Sequence, residues 1–413
     1  MKNIVELFLG ILTAMGGFVE VGELVFSVDA GAKFGFRLLW VVALGTLGIT
    51  VFCEMAGRVA AVKGQPVFNL IRERAGLNAG LVTLVAANLV NLLTCTAEIG
   101  GIALVWQLLS GWPYRWLALG ALGFLLLVVW VLSFQWIERV FGLLGLLMCT
   151  YLAAAYYLRP NWGEVAAGFV PGVPHLESSS EYLLFAYFAV AILSSVMLPY
   201  ETYFYASGAM EDGWNPGDVN LNRVIAIVGS VLGSVLAVAL VVCGAQVFRP
   251  HQIEPQLPGE AALAASLTLG RWGLLAAVGG MFFAFAGAAI ETSLSGAYNL
   301  AQFLGWPWGK YRPARTAARF SLTWIITFVL AALIIMTGVD PVSVVEYSIV
   351  FSVVILPFTY FPVLVIAGDR RVMGEEHANG WFANAVGWFY LGIVTLAALL
   401  AVPLLIVTRG GKG

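Results

Sequence analysis

Charge is what this sequence has least of. Asp, Glu, Lys and Arg together make up 11% of its 413 residues, whereas an ordinary soluble domain carries about a quarter. Hydrophobic residues make up 61% of the chain, and the mean hydropathy is +0.91. These values exclude a soluble domain, and a net charge of −2 gives no basic surface for nucleic acid. The composition therefore predicts an integral membrane protein in contact with the lipid bilayer.

Cysteine and histidine are scarce as well. The four cysteines all lie in apolar runs and lack metal-ligand spacing, which predicts small buried side chains rather than disulfides or zinc ligands. The three histidines all fall in predicted loops; they are His175, His251 and His377. Because no histidine falls in a predicted span, the usual proton relay near neutral pH is missing. We therefore predict weak or absent proton coupling.

Enzyme motifs are also missing from the sequence. It contains no Walker loop, no HExxH motif and no convincing nucleophile triad. We therefore expect no enzymatic activity and no resident cofactor. Without an ATP site, any active transport would be driven by an ion gradient.

Long apolar runs dominate the chain and predict helical spans, because a β-barrel would show short alternating segments instead. The predicted fold class is an all-α integral membrane protein with eleven transmembrane helices. The predicted spans are 4–33, 37–62, 78–110, 113–133, 135–158, 181–208, 219–247, 269–304, 315–338, 341–367 and 383–408. The longest predicted connectors are about 159–180 and 248–268.

Lys and Arg are unevenly shared between the predicted loops. With the N-terminus inside, 13 of them fall on the inner side and 8 on the outer side, and the densest clusters are inside. Since positive residues are enriched in cytoplasmic loops, we expect a cytoplasmic N-terminus and, after eleven spans, a C-terminus outside.

Two of the predicted spans are interrupted. Span 1 is broken at "VEVGE", which contains Gly22, and span 6 at "SSVMLPYETY", which contains Pro199. The breaks lie five spans apart, as in transporters built from two inverted repeats whose first helices unwind at mid-membrane. Structural kinks without function are the alternative interpretation. In the transporter interpretation, Gly22 and Pro199 are the hinges.

Three carboxylates accompany these breaks: Glu20 and Glu23 in span 1, and Glu201 in span 6. A carboxylate at mid-membrane costs about 2.5–3.5 kcal/mol on insertion scales. A kink alone does not require acids, so we predict that the three residues line one polar cavity and bind a cation.

Four stretches resemble the Nramp family of divalent-metal transporters, in the same order along the chain. They are "GGFVEVGELVFSVDAGAKFGFRLLW" (16–40), "TCTAEIGGIALVWQLLSG" (94–111), "GAAIETSLSGAYNLAQ" (287–302) and "ILPFTYFPVLVIAGDRRVMGE" (355–375). The resemblance implies a LeuT-type fold, with a first inverted repeat at 1–158, a second at 159–368 and an additional helix at 369–413. It also implies a monomer in the bacterial inner (plasma) membrane.

The site positions depart from the family pattern. The family's Asp-Pro-Gly-Asn break corresponds here to Glu20, Val21, Gly22 and Glu23. In span 6 the family's Ala-x-x-Met-Pro-His-Asn becomes Ser195, Leu198, Pro199, Tyr200 and Glu201. Met197 is one residue off and is expected to point elsewhere. In span 3, Glu98 matches a family glutamate, and with Asn91 it predicts a hydrophilic or proton path.

Carboxylates and hydroxyls are hard oxygen ligands, whereas the thioether expected for softer metals is absent. The first hypothesis is a carrier of Mg²⁺ or Mn²⁺, with metal ligands Glu20, Glu23 and Glu201 in a site shared with Gly22, Ser195 and Tyr200. The second is a Na⁺- or H⁺-coupled carrier of a small solute such as bicarbonate or an amino acid. Its second cation site would contain Glu291, Thr292 and Ser293. A sensor or non-transporting homologue is a third possibility.

Overall fold

The computed structural model describes residues 19–412, which form fifteen α-helices and no β-strand. The helices are α1 (Val21–Phe34), α2 (Leu39–Lys63), α3 (Val67–Ser110), α4 (Tyr114–Val131), α5 (Phe134–Gly145), α6 (Thr150–Tyr157), α7 (Trp162–Ala167), α8 (Ser179–Val196), α9 (Pro199–Glu211), α10 (Val219–Cys243), α11 (Pro258–Leu304), α12 (Ala318–Met336), α13 (Pro341–Gly368), α14 (Arg370–His377) and α15 (Trp381–Val407). Short 3₁₀ turns lie at Leu146–Cys149, Pro216–Asp218 and Arg249–His251, and a π-helical segment lies at Gly244–Phe248.

Within residues 19–412, ten helical segments are long and apolar enough to cross a membrane. They coincide with predicted spans 2 to 11, usually within three residues at each end; the predicted span 341–367, for example, is Pro341–Gly368. Large apolar side chains such as Trp130, Trp272 and Leu399 are exposed around the bundle, as lipid-facing residues would be. Residues 4–18 of predicted span 1 lie outside the described residues.

Both long predicted connectors contain helical segments. Residues 162–167 form α7, and helix α11 begins at Pro258, inside the predicted connector 248–268. The carboxylate of Glu260 caps this start, since it accepts hydrogen bonds from the backbone N–H groups of Gln256 (2.7 Å) and Leu257 (2.9 Å). Gly270 then breaks α11 with φ +63°, a conformation that favours glycine. The run before Gly270 is too short to span, so hydropathy alone missed this helix.

Helix α1 packs against the end of α10 and its π-helical continuation almost backbone to backbone. A Cβ atom on Gly31 would overlap the carbonyl oxygen of Val241, and one on Gly244 would overlap the carbonyl oxygen of Val28. Small residues permit such an approach between membrane helices. The contact fixes α1 on its scaffold and so positions the residues at its N-terminal end.

Candidate functional site

The described part of span 1 begins as extended chain and then becomes helical. Glu20 has φ −78° and ψ 160°, and α1 starts at Val21. Val19 and Glu20, within the predicted "VEVGE" interruption, are not helical, and Gly22 lies within the first turn of α1. A Cβ on Gly22 would lie 2.5 Å from Cδ1 of Ile349 on α13. Glycine thus allows α1 and α13 to meet directly beside the break.

Span 6 is interrupted where it was predicted to be. Helix α8 ends at Val196, Met197 (φ −108°, ψ 63°) and Leu198 (φ −71°, ψ 127°) are not helical, and Pro199 opens α9. Proline suits this first position because the backbone N–H that it lacks has no helical partner there. The Tyr360 hydroxyl donates to the freed carbonyl oxygen of Met197 at 3.3 Å, so α13 supports the break.

Four buried carboxyl groups lie near the two breaks, although within residues 19–412 no three acids, cysteines or histidines stand close enough together to hold a metal ion. The exposed fractions are 1% for Glu20, 3% for Glu23, 1% for Glu98 and 9% for Glu201. Glu20 lies within electrostatic range of the other three. One carboxylate oxygen each of Glu20, Glu23 and Glu98 has no hydrogen-bond partner. Over residues 19–412, no basic side chain forms a salt bridge with any of the four.

Glu98 belongs to this cluster, although the sequence placed it in a neighbouring path. Its Oε1 accepts a hydrogen bond of 3.0 Å from the backbone N–H of Val21. It therefore caps the N-terminus of α1, where a carboxylate is favoured by the helix dipole and by the unpaired N–H groups. Its correspondence to a family glutamate was the only sequence signal for this role, because Glu98 is far from both breaks along the chain.

The remaining predicted residues differ in their surroundings. Tyr200 is buried, its hydroxyl has no partner, and it lies within electrostatic range of Glu20 and Glu201. Ser195 is also buried, but its hydroxyl donates to the Ile192 carbonyl at 3.0 Å. Its oxygen keeps lone pairs for a cation. Tyr200 and Ser195 therefore stay in the predicted ligand shell.

Asn91 lies two helical turns from Glu98 on α3. It packs at the contact with Gly296 of α11. This position agrees with a packing role between helices as well as with a hydrophilic path, so the path stays a prediction.

The predicted second cation site is divided between two environments. Glu291 is half-buried and lies within electrostatic range of Glu201 and Tyr200. The hydroxyls of Thr292 and Ser293 donate instead to carbonyls of their own helix, at 2.8 Å to Ala288 and 2.8 Å to Ile290. Glu291 thus extends the carboxylate cluster, whereas the two hydroxyls cap the preceding turn of α11.

The thioether of Met197 packs against α2. A Cβ on Gly48 of α2 would lie 2.7 Å from the sulfur and 3.0 Å from the Tyr390 ring of α15. The sulfur therefore packs in the scaffold, as the one-residue offset predicted. Two buried thiols do lie near the cluster, since Cys53 is within electrostatic range of Glu201 and Cys95 of Glu98.

Such a cluster can be buried only with bound cations or protons. Isolated carboxylates in a low-dielectric interior are strongly disfavoured, and pairing with positive charge restores the balance. Since no basic side chain in the described part of the chain supplies this charge, the arrangement is suited to a cation that enters and leaves.

Known transporters resemble this chain in sequence and in fold. The chain is 27% identical over 406 residues to the "Divalent metal cation transporter MntH" of Deinococcus radiodurans, covering 94% of this chain and 87% of that protein. The structure superposes on a manganese transporter of Eremococcus coleocola with a TM-score of 0.79, at 19% identity, covering 98% of this chain and 87% of that one. With MhsT in complex with L-phenylalanine the TM-score is 0.61 at 16% identity, covering 98% of both chains.

These similarities confirm the predicted LeuT-type membrane fold. A sequence model of one family, described as natural resistance-associated macrophage protein-like, matches residues 10–403. This match extends over nearly the whole chain. The chain therefore belongs to the Nramp family.

Proposed function

We propose that this protein is a secondary transporter, not an enzyme, and that it moves a hard divalent cation, Mn²⁺ or Mg²⁺, by alternating access. The observation that carries the proposal is the cluster of Glu20, Glu23, Glu98 and Glu201 at the two helix breaks. All four are at most 9% exposed. Within residues 19–412 none of them forms a salt bridge, so a transported cation would supply the missing positive charge.

The donor atoms favour a hard ion. Mg²⁺ and Mn²⁺ prefer carboxylate, carbonyl and water oxygens, whereas thioether sulfur favours softer metals. Glu20, Glu23 and Glu201 are the proposed ligands, and Mg²⁺ would keep several of its waters because it dehydrates reluctantly. Glu98 would hold the N-terminus of α1 in place and add negative charge. The printed names of the Deinococcus and Eremococcus relatives, a divalent metal cation transporter and a manganese transporter, support this substrate class.

The proposed transport cycle moves the two half-helices against the rest of the bundle. Gly22 and Pro199 lie beside the breaks and serve as hinges. The two inverted repeats are residues 1–158 and 159–368, and an additional helix lies within 369–413. The direct contact of Gly22 with Ile349 closes the site towards the face that carries Lys33 and Lys412, which we place outside. The protein would act as a monomer in the bacterial inner membrane, with a cytoplasmic N-terminus.

A cation-coupled carrier of bicarbonate or an amino acid is the second candidate. Such an anion would use the positive N-terminal end of a half-helix. At the start of α1, however, the N–H of Val21 already donates to Glu98 at 3.0 Å. The nearby carboxylates would repel an anion as well, so the geometry favours the cation.

Liposomes that contain the purified protein test the proposal. A dye inside reports entry of Mn²⁺ and, separately, of Mg²⁺, while a pH dye reports the predicted lack of strong proton coupling. We expect saturable entry that is lost in Glu20→Ala and retained in Glu164→Gln, which removes an exposed acid on α7. If the folded protein gave no dye signal with either Mn²⁺ or Mg²⁺, the proposal would be contradicted. Bicarbonate uptake under a sodium gradient would then support the second candidate.

A further inference from the structure

A second acidic pocket lies beyond the contact that closes the central site. This outer pocket is lined by Val25 and Asp29 of α1, Val345 and Glu346 of α13, and Lys412. Val345 also approaches Gly22, at 3.9 Å from the position of an added Cβ. The outer pocket therefore begins directly outside the Gly22–Ile349 contact, on the expected path of an ion that enters from outside.

The pocket contains oxygen atoms that lack partners. Glu346 is 9% exposed, and Oδ1 of Asp29 is covered without a hydrogen bond. The hydroxyl of Tyr187, a residue that is 1% exposed, also has no partner and lies within electrostatic range of both carboxylates. Lys33 is near Asp29, but its ammonium is 2.6 Å from Glu254. Tyr187 does not line the pocket itself, but a buried hydroxyl without a partner near two acids calls for a water or an ion at this place.

The segment after α15 folds back over this pocket. Three consecutive residues, Arg409, Gly410 and Gly411, have positive φ values of 49°, 73° and 86°. A Cβ on Gly410 would lie 2.7 Å from Cδ of Glu346, so only glycine can approach this closely. The hydroxyl of Thr408 donates to Leu404 at 2.7 Å and accepts from the Gly411 N–H at 3.3 Å, which orders the turn.

The turn brings one positive charge to the pocket. Nζ of Lys412 lies 4.0 Å from Oε1 of Glu346, and the side chains are 45% and 11% exposed. A long ion pair with an exposed partner is weak. The ammonium therefore balances the charge of Glu346 but binds it weakly. A divalent cation with several oxygen ligands can displace the ammonium.

We propose that the outer pocket is a binding site for a divalent cation arriving from outside, with Asp29 and Glu346 as ligands, Tyr187 as a neutral oxygen donor and Lys412 as a displaceable internal cation. The site would raise the local concentration of the ion before α1 and α13 separate. The choice of ion rests on the proposed function, but binding in the outer pocket is measured separately from transport.

Mn²⁺ binding to the purified full chain, followed by the electron paramagnetic resonance signal of free Mn²⁺, tests the site. The background is Glu20→Gln/Glu201→Gln, which weakens the central site. We expect this background chain still to bind Mn²⁺, in the outer pocket. Adding Glu346→Gln or Asp29→Asn to the background should lower the affinity of the chain for Mn²⁺ at least about tenfold. Adding Glu164→Gln, the matched surface control, leaves the affinity unchanged. Equal binding in all four chains, or no binding in the background chain, would overturn the proposal.

Lys412→Met gives a test that does not disturb the buried pocket. Removing the competing ammonium should tighten Mn²⁺ binding about two- to fivefold, whereas Arg409→Met in the same segment should not. Unchanged affinity in Lys412→Met would contradict the displacement. These experiments measure binding and not transport. Their results would therefore still test the outer pocket if the protein proved not to transport Mn²⁺.

Discussion

Two glutamates within the helical bundle show opposite solutions to the same electrostatic problem. Glu54 on α2 pairs with Arg58 through two hydrogen bonds, of 3.0 and 3.1 Å. Glu201 on the neighbouring helix α9 has no basic partner within ion-pair distance in the described part of the chain. The difference points to two roles: the first carboxylate holds the structure together, whereas in the proposed function the second is left available for an ion.

The pair around Glu54 joins several helices. Arg58 donates to Oδ1 of Asn379 at 2.7 Å and to the carbonyl oxygen of His377, which connects α2 to the segment before α15. The backbone carbonyl of Glu54 accepts from the amide of Asn222 at 2.9 Å, which adds α10. We call Glu54, Arg58, Asn222, His377 and Asn379 the Arg58 network. It lies on the face expected to be cytoplasmic and ties the bundle together there.

Arg58→Met should produce the largest loss of stability, because it leaves Glu54 without its partner in a site where the side chains are 15% and 8% exposed. Breaking a buried pair typically lowers the free energy of unfolding by about 3–5 kcal/mol. Thermal unfolding in detergent measures the effect. The matched control is Arg74→Met, since the Arg74 side chain is 50% exposed and 3.6 Å from Asp369. A change of equal size in both variants would show that burial does not distinguish the two pairs.

Glu201→Gln should have the opposite effect to Arg58→Met: transport should be lost, and the stability of the fold should be kept. Removing a ligand from the proposed metal site should reduce Mn²⁺ transport roughly 100-fold. Stability without metal should stay equal or rise, because a buried charge without a partner disappears. Mn²⁺ at 100 times its dissociation constant should stabilise the native chain by about 2.7 kcal/mol and the variant much less. A variant that is strongly destabilised without metal would assign Glu201 to the fold instead.

Met197→Leu should have the smallest effect, although methionine is the kind of residue that binds softer metals. Its sulfur packs close to Gly48 of α2. A volume-conserving swap in such a place costs less than about 1.5 kcal/mol, and the ratio of Cd²⁺ to Mn²⁺ transport should stay within about twofold, since the proposed ligands are unchanged. Flux measurements with both ions check this ratio. A selective loss of Cd²⁺ transport would place the thioether in the site.

Sequence reasoning predicted spans 2 to 11 and the position of the break in span 6, because these depend on local properties. Hydropathy predicted spans 2 to 11, and Pro199 beside Glu201 marked the break in span 6 that the structure places at Met197–Leu198. Hydropathy failed at 258–269, where the helix is too short to span. The capping interaction of Glu260 and the break at Gly270 define that helix, and neither changes a hydropathy average.

The sequence by itself thus determined the membrane class, the order of the helices and the presence of acids at the two breaks, because each follows from neighbouring residues. Only the tertiary structure decided which groups meet. It brought Glu98 onto the N-terminus of α1, 77 positions away in the chain, and turned Met197 into the scaffold. It also folded Lys412 over Glu346. These contacts depend on how separate helices pack, and packing distances between distant residues are not encoded in any local run.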